Sequence, residues 1–191
     1  KEATTTIPIV SPTMDWGDPV RTGLVASLAR PGGNLTGPSS QRNDIDPKLL
    51  QFTKELLPGL KRLCLVFDGR RERNLVDYAN NEFRALAHSI GVSVCMIPIR
   101  TLADIRAMPR TVDRERAQAV MIWNSPFMFQ HRDTLIGAVA HRLPVIDDLH
   151  KSAEAGAVLT YSADWLDMFR RSAAYVDKIL KGAKPGDLPI E

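Results

Sequence analysis

Short β-branched runs alternate along this chain with stretches in which apolar residues recur every three or four positions. That alternation predicts a parallel sheet covered by helices. Ile7-Pro8-Ile9-Val10 predicts a first strand, with Pro8 suited to an edge or a strand start. Helical spacing over 20–28 ends in Arg30-Pro31-Gly32-Gly33, a breaker followed by two residues tolerant of positive φ. The polar, turn-rich stretch 34–43 reads as a connection between two bodies. Asp46-Pro47 then predicts a helix start, with aspartate as N-cap and proline at the first helical position. Leu49, Leu50, Thr53, Leu56 and Leu57 line one face of it before Pro58-Gly59.

From Arg62 onward the pattern predicts five β-α units, with strands over 62–67, 92–97, 117–123, 144–146 and 157–160. Between them, Leu75, Ala79, Phe83, Leu86 and Ile90 repeat at helical spacing up to a stop at Gly91. Further helices are predicted over 102–108, 127–142 and 149–155. Asp164 caps a last helix running to Lys181, with Leu166, Phe169, Ala173, Val176 and Leu180 as its predicted buried stripe. The fold class that follows is α/β, a doubly wound parallel sheet. Residues 1–37 hold one strand and one helix, too little for a domain, and the tail 184–191 reads as the start of an extended segment. A piece at each end of one α/β body points to a two-lobed protein with most of one lobe missing.

Composition narrows the function classes. With 44% hydrophobic and 25% charged residues the chain is neither disordered nor, at 12 Gly and 13 Pro, fibrous. No window approaches the ~20 apolar residues of a membrane-spanning helix. A net charge of +3, from 25 basic against 22 acidic residues, is too evenly mixed to predict a nucleic-acid partner. The four histidines, His88, His131, His141 and His150, form no helical i, i+4 pair and have no cysteine at ligand spacing, so neither a metal nor a cofactor is expected. No G-x-S-x-G elbow occurs, and Ser125 is followed by Pro126 where such an elbow requires glycine. No catalytic residue is predicted. Cys64 and Cys95 fall within strands and read as buried thiols, or as a single pair across neighbouring strands if the compartment is oxidising.

The candidate chemistry lies in loops at the carboxyl ends of the strands, where open α/β sheets bind ligands. These loops carry Asp68 and Arg70, then Trp123, Asn124 and Ser125, then Asp147 and Asp148, then Tyr161 and Ser162. Asp18 closes the equivalent loop, 15–18, in the amino-terminal piece. Carboxylates suit an amine, the arginine a carboxylate, and the aromatics an apolar body, so the set predicts a small polar or zwitterionic ligand. Each residue has a plainer role open to it. Asp147-Asp148 would equally cap the following helix, Arg70 would sit solvated in its charged loop, and Trp123 would close the core.

The run 18–37, DPVRTGLVASLARPGGNLTG, resembles a hallmark of ABC-transporter substrate-binding proteins of the tryptophan/tyrosine-uptake type. Three later runs are similar to that family as well: LLPG at 56–59, HRLP at 141–144 and AAYVDKILKGAKP at 173–185. The resemblance runs in order over essentially the whole chain. It implies a type I periplasmic-binding-protein fold, with two Rossmann-like lobes and a ligand held in the interlobe cleft, and it implies no catalysis. On it, residues 1–37 would be a fragment of the first lobe and hinge crossing, 38–183 the complete second lobe, and 184–191 the start of the return segment. It further implies a bacterial, periplasmic or extracytoplasmic setting, an ABC permease as partner, and an amino-acid-like or aromatic ligand. A homodimer through the surface exposed by the missing lobe is a further expectation. The alternative is the same module as the ligand-sensing domain of a membrane signalling protein. The charged loop 68–73 and the Asp147-Asp148 pair depart from the family's pattern at cleft positions, so the resemblance leaves the ligand's identity open.

Overall fold

The central strand shows how the apolar pattern becomes architecture. The computed structural model describes residues 4–14, 19–20, 22–40, 42–70 and 77–191. In β3 (Arg62–Asp68) every residue but the first is buried. Leu63, Leu65 and Phe67 enter one apolar layer with Leu49, Leu50, Phe83 and Ala87. Cys64 and Val66 enter the opposite layer with Ile105, Met108, Val112 and Ile136. A strand covered on both faces needs a continuous apolar run instead of an alternating one. Each such aliphatic side chain, fully buried, contributes about 1.5–3 kcal/mol.

Around β3 lie β4 (Ser93–Ile99), β5 (Ala119–Ile122), β6 (Val145–Asp147) and β7 (Leu159–Thr160). Their order is β4-β3-β5-β6-β7, with every pair parallel. The chain leaves β3, adds β4 on one side and returns to lay β5, β6 and β7 on the other. This reversal brings the carboxyl ends of β3 and β5 together at a topological switch point.

The helices start and stop for local reasons. α1 (Arg42–Leu56) begins one turn before the expected Asp46 cap and carries Pro47 inside it. A proline this near a helix start forfeits one i→i−4 bond and leaves the upstream turn intact. A π-helical turn (Ala79–Phe83) leads into α2 (Arg84–Ser89). Gly91, at φ +75°, ends that helix while the Val92 N–H bonds to the Ala87 carbonyl at 2.9 Å. α3 (Leu102–Arg114) is closed at its start by a Thr101/Asp104 capping box and continues past Pro109, beyond the expected end at 108. The helix expected over 127–142 is instead α4 (Pro126–Gln130) and α5 (Arg132–Gly137), broken at His131. The segment His150–Ala155 is a 3₁₀ helix.

Contacts divide the chain into one unit of residues 46–162, which holds the five-stranded sheet, and a second of residues 1–45 with 163–191. The last helix groups with the chain's two ends. In this second unit β1 (Ile9–Val10) pairs in parallel with β2 (Leu35–Thr36). The last helix, α6 (Trp165–Leu180), is tied down by its Tyr175 hydroxyl, which donates to the Pro189 carbonyl at 2.7 Å, and by an Arg171–Glu191 ion pair, also 2.7 Å. Gly37 sits at φ +134°, and a Cβ there would lie 2.0 Å from the Ser11 carbonyl oxygen, so the turn after β2 admits glycine alone.

The predicted buried stripe of α6 is corrected by the structure. Leu166, Phe169, Val176 and Leu180 are 69%, 55%, 42% and 82% exposed, whereas Met168 and Tyr175 are the buried positions. Periodicity identified an apolar face, but the described residues place nothing over it.

Candidate functional site

At the carboxyl end of β3 the ladder closes on Asp68, and the Gly69 N–H continues it to the Ile99 carbonyl at 2.9 Å. A Cβ on Gly69 would meet Pro98 Cβ at 2.8 Å, so the absence of a side chain lets the backbone turn here. That turn folds Arg70 back on Asp68. The Arg70 N–H donates to Oδ1 at 3.0 Å, Nε to Oδ1 at 2.9 Å and Nη2 to Oδ2 at 2.8 Å. The guanidinium also lies 3.8 Å from the centroid of the Phe127 ring.

From β5, the Ser125 hydroxyl donates to Asp68 Oδ2 at 2.7 Å while accepting from the Met128 N–H at 3.2 Å. One side chain thus caps α4 and positions the carboxylate. Burial pushes the Asp68 carboxyl up, but the Arg70 and Ser125 hydrogen bonds outweigh it and hold the group down at about 2. Arg70 is therefore a committed cation. Its Nε and Nη2 are engaged by Asp68, while the side chain stays 46% exposed.

The neighbouring Asn124 bridges to β6. Its N–H donates to Asp148 Oδ1 at 2.8 Å, and its side-chain amide donates to the same oxygen at 3.1 Å and also to Asp147 Oδ1. Both carboxylates are buried. Burial, followed by the adjacent Asp148 charge, pushes the Asp147 carboxyl up to about 8, against the favourable influence of the Ser152 hydroxyl, the Leu149 N–H and Asn124. No hydrogen bond of ordinary length reaches Asp147 Oδ2. Near neutral pH Asp147 therefore retains its proton.

The remaining predicted residues divide. The Tyr161 N–H donates to the Asp147 carbonyl at 3.2 Å, and its half-buried ring meets Phe52 edge-on at 5.4 Å. Ser162 follows it, half-buried. Trp123 is not an open stacking face. It is 1% exposed, with Tyr78 stacked on it at 5.7 Å and Phe83 against it at 4.9 Å, so the core role open to it from sequence is the one it takes. Asp18 lies outside the described residues. Phe127, Phe52 and Ser152 belong to this edge but were not singled out from sequence. Phe127 had a signal, an aromatic directly behind the Ser125-Pro126 cap, whereas Phe52 and Ser152 are brought in by tertiary packing. Among the described residues no three His, Cys, Asp or Glu side chains are grouped to hold a metal.

The carboxyl edge of the sheet thus gathers two polar knots joined through Asn124-Ser125. One is the Asp68–Arg70 ion pair, and the other the buried Asp147–Asp148 pair held by Asn124. Among the described residues the arrangement pairs no nucleophile with a base.

Comparison with known proteins bears on this reading. The family model described as ABC transporter substrate binding protein matches residues 1–191. A tyrosine-binding protein of Clostridioides difficile (strain R20291) is 25% identical over 197 residues, 98% of this chain and 53% of its own length. The ABC domain from Streptococcus pneumonia solved in complex with L-Trp superposes with a TM-score of 0.82 at 22% identity, covering 100% of this chain and 62% of that one. A conserved domain protein from Vibrio cholerae O1 biovar eltor gives 0.82 at 25% identity, covering 99% of this chain and 62% of its own. A periplasmic sugar binding protein from Legionella pneumophila gives 0.60 at 13% identity, over 94% of this chain and 67% of that one. The chain spans between half and two thirds of the length of the first of these relatives. The chain shares its parallel α/β fold with these solved structures and belongs to the ABC transporter substrate-binding protein family.

Proposed function

We propose that this chain is the ligand-gripping part of an extracytoplasmic solute-binding protein that holds an amino acid with an aromatic side chain and presents it to an ABC permease. The observation that carries the reading is the buried Asp147–Asp148 pair bridged by Asn124, with Asp147 Oδ2 left without a hydrogen-bond partner. A ligand's protonated α-amine donates to Asp147 Oδ2 and stabilises the ionised carboxyl. Tyr161, edge-on to Phe52 beside the same strand end, offers the apolar contact an aromatic side chain needs. The relatives support the ligand class, since one is a tyrosine-binding protein and another was solved with L-Trp. The exposed stripe on α6 is the surface on which further chain, or a second copy in a homodimer, would pack.

The test is a thermal-shift comparison of L-tryptophan and L-tyrosine with tryptamine, which lacks the carboxylate, and 3-(indol-3-yl)propionate, which lacks the amine. Ligands that bind the native state alone raise the melting temperature by mass action. The two amino acids should raise it, tryptamine should retain part of the shift and the amine-free acid should lose it. An equal shift from the amine-free acid would reject the assignment of the acidic pair.

A further inference from the structure

We propose that Cys64 and Cys95 form a redox pair that closes into an intramolecular disulfide on meeting a small or protein disulfide oxidant, R–S–S–R. The two residues stand directly opposite each other in the parallel register of β3 and β4, and both are free thiols in this structure. Paired strands lie about 4.7–4.9 Å apart, inside the roughly 4.4–6.8 Å range of Cα separations that a disulfide spans. Both side chains join the same apolar layer.

The pair is asymmetric in the way stepwise exchange requires. Cys64 is buried on the inner strand, whereas Cys95 is half-buried on β4, the edge strand of the order β4-β3-β5-β6-β7. Contact with the Cys64 thiol, with Arg114 and Arg84 nearby, holds the Cys95 thiol below its usual value against burial and Glu115. The same contact, with burial, pushes the Cys64 thiol up. Cys95 is therefore the attacking thiolate and Cys64 the resolving thiol. The Cys95 thiolate attacks one sulfur of R–S–S–R, forms a mixed disulfide and expels RS⁻, which takes up the proton Cys95 lost. Cys64 then gives up its proton and attacks Cys95 Sγ, expelling the second RS⁻, which is protonated in turn. Two protein thiols become one disulfide, and the oxidant becomes two RSH. The bond would tie the edge strand to β3, the strand that ends in Asp68. A metal-binding dithiol is the weaker alternative, because no third His, Cys, Asp or Glu ligand stands beside the pair among the described residues.

The test exposes the reduced chain to oxidised glutathione, quenches it in acid, and alkylates the remaining thiols under denaturing conditions before intact-mass and peptide analysis. The expected result is simultaneous loss of both thiols without retained glutathione, a Cys64–Cys95 cross-linked peptide, and reversal by dithiothreitol. Cys64→Ala should leave Cys95 trapped as the glutathione mixed disulfide. Cys95→Ala should leave Cys64 unreactive in the folded chain. Accumulation of glutathione on Cys95 in the unsubstituted protein without closure, or no reaction of either thiol, would overturn the proposal, and so would cross-linking between chains. The unsubstituted protein alone decides the point if either variant fails to fold.

Discussion

Replacing Asp147 by asparagine should remove a specific pH dependence of stability. In the folded chain, burial and the Asp148 charge raise the Asp147 carboxyl to about 8 from an ordinary 3.8. Between those values the folded state holds a proton that the unfolded chain has released. Stability must therefore fall as pH rises through this window, by about 1.4 kcal/mol per pH unit. From pH 5.5 to 7.5 the loss amounts to about 3 kcal/mol. Asp68 does not offset this. Its carboxyl is lowered to about 2, so its contribution is fully present above 3.8 and is lost as pH falls toward 2, below the window. Urea unfolding followed by tryptophan fluorescence includes the relevant unit through Trp123, which lies between Tyr78 and Phe83 in its core. Asp147→Asn keeps the shape and hydrogen-bonding capacity of the side chain and should flatten the profile between pH 5.5 and 7.5. A flat or rising profile in the unsubstituted protein, or the same downward slope in the variant, would refute the reasoning.

Two other substitutions probe neighbouring claims. Ser125→Ala deletes both the 2.7 Å bond to Asp68 and the 3.2 Å cap on Met128. It should cost about 1–3 kcal/mol and raise the Asp68 carboxyl, read by carboxyl NMR titration, so that acid destabilisation begins at higher pH. Leu166→Ser combined with Phe169→Ser alters two exposed positions of α6. Stability should stay within about 0.5 kcal/mol for each exposed change, while any self-association seen by light scattering should weaken. A chain that is monomeric at every concentration would remove the stripe as a self-association surface.

How far the sequence was legible depends on the range of the interaction involved. The run Leu63-Cys64-Leu65-Val66-Phe67 announces a strand buried on both faces, because continuous apolarity needs no distant partner to interpret. Asp68, Asn124, Ser125 and Asp147 were legible as strand-end residues for the same reason, since a strand's length fixes where its last residue falls. Trp123 was not, because the same indole serves as core or platform. What decides is the presence of Tyr78 and Phe83, brought from far along the chain. Arg70 read as a free cation until the turn at Gly69 placed its guanidinium on Asp68. The α6 stripe failed for a third reason. Periodicity records that a helix has an apolar face, and only the three-dimensional arrangement shows what lies against it. Pro47 and Pro109 marked helix limits by propensity, but both helices continue through them, α3 toward the buried Val112.

The most direct test of the central claim is isothermal titration of the protein with L-tryptophan and L-tyrosine at pH 7 in two buffers of different ionisation enthalpy. If a ligand ammonium binds at Asp147, binding ionises that carboxyl, which stands at about 8 in the free protein. Up to one proton should then be released per ligand, with the observed heat depending on the buffer, and Asp147→Asn should abolish that dependence. Binding with no proton release, or undiminished binding of 3-(indol-3-yl)propionate, would contradict the account.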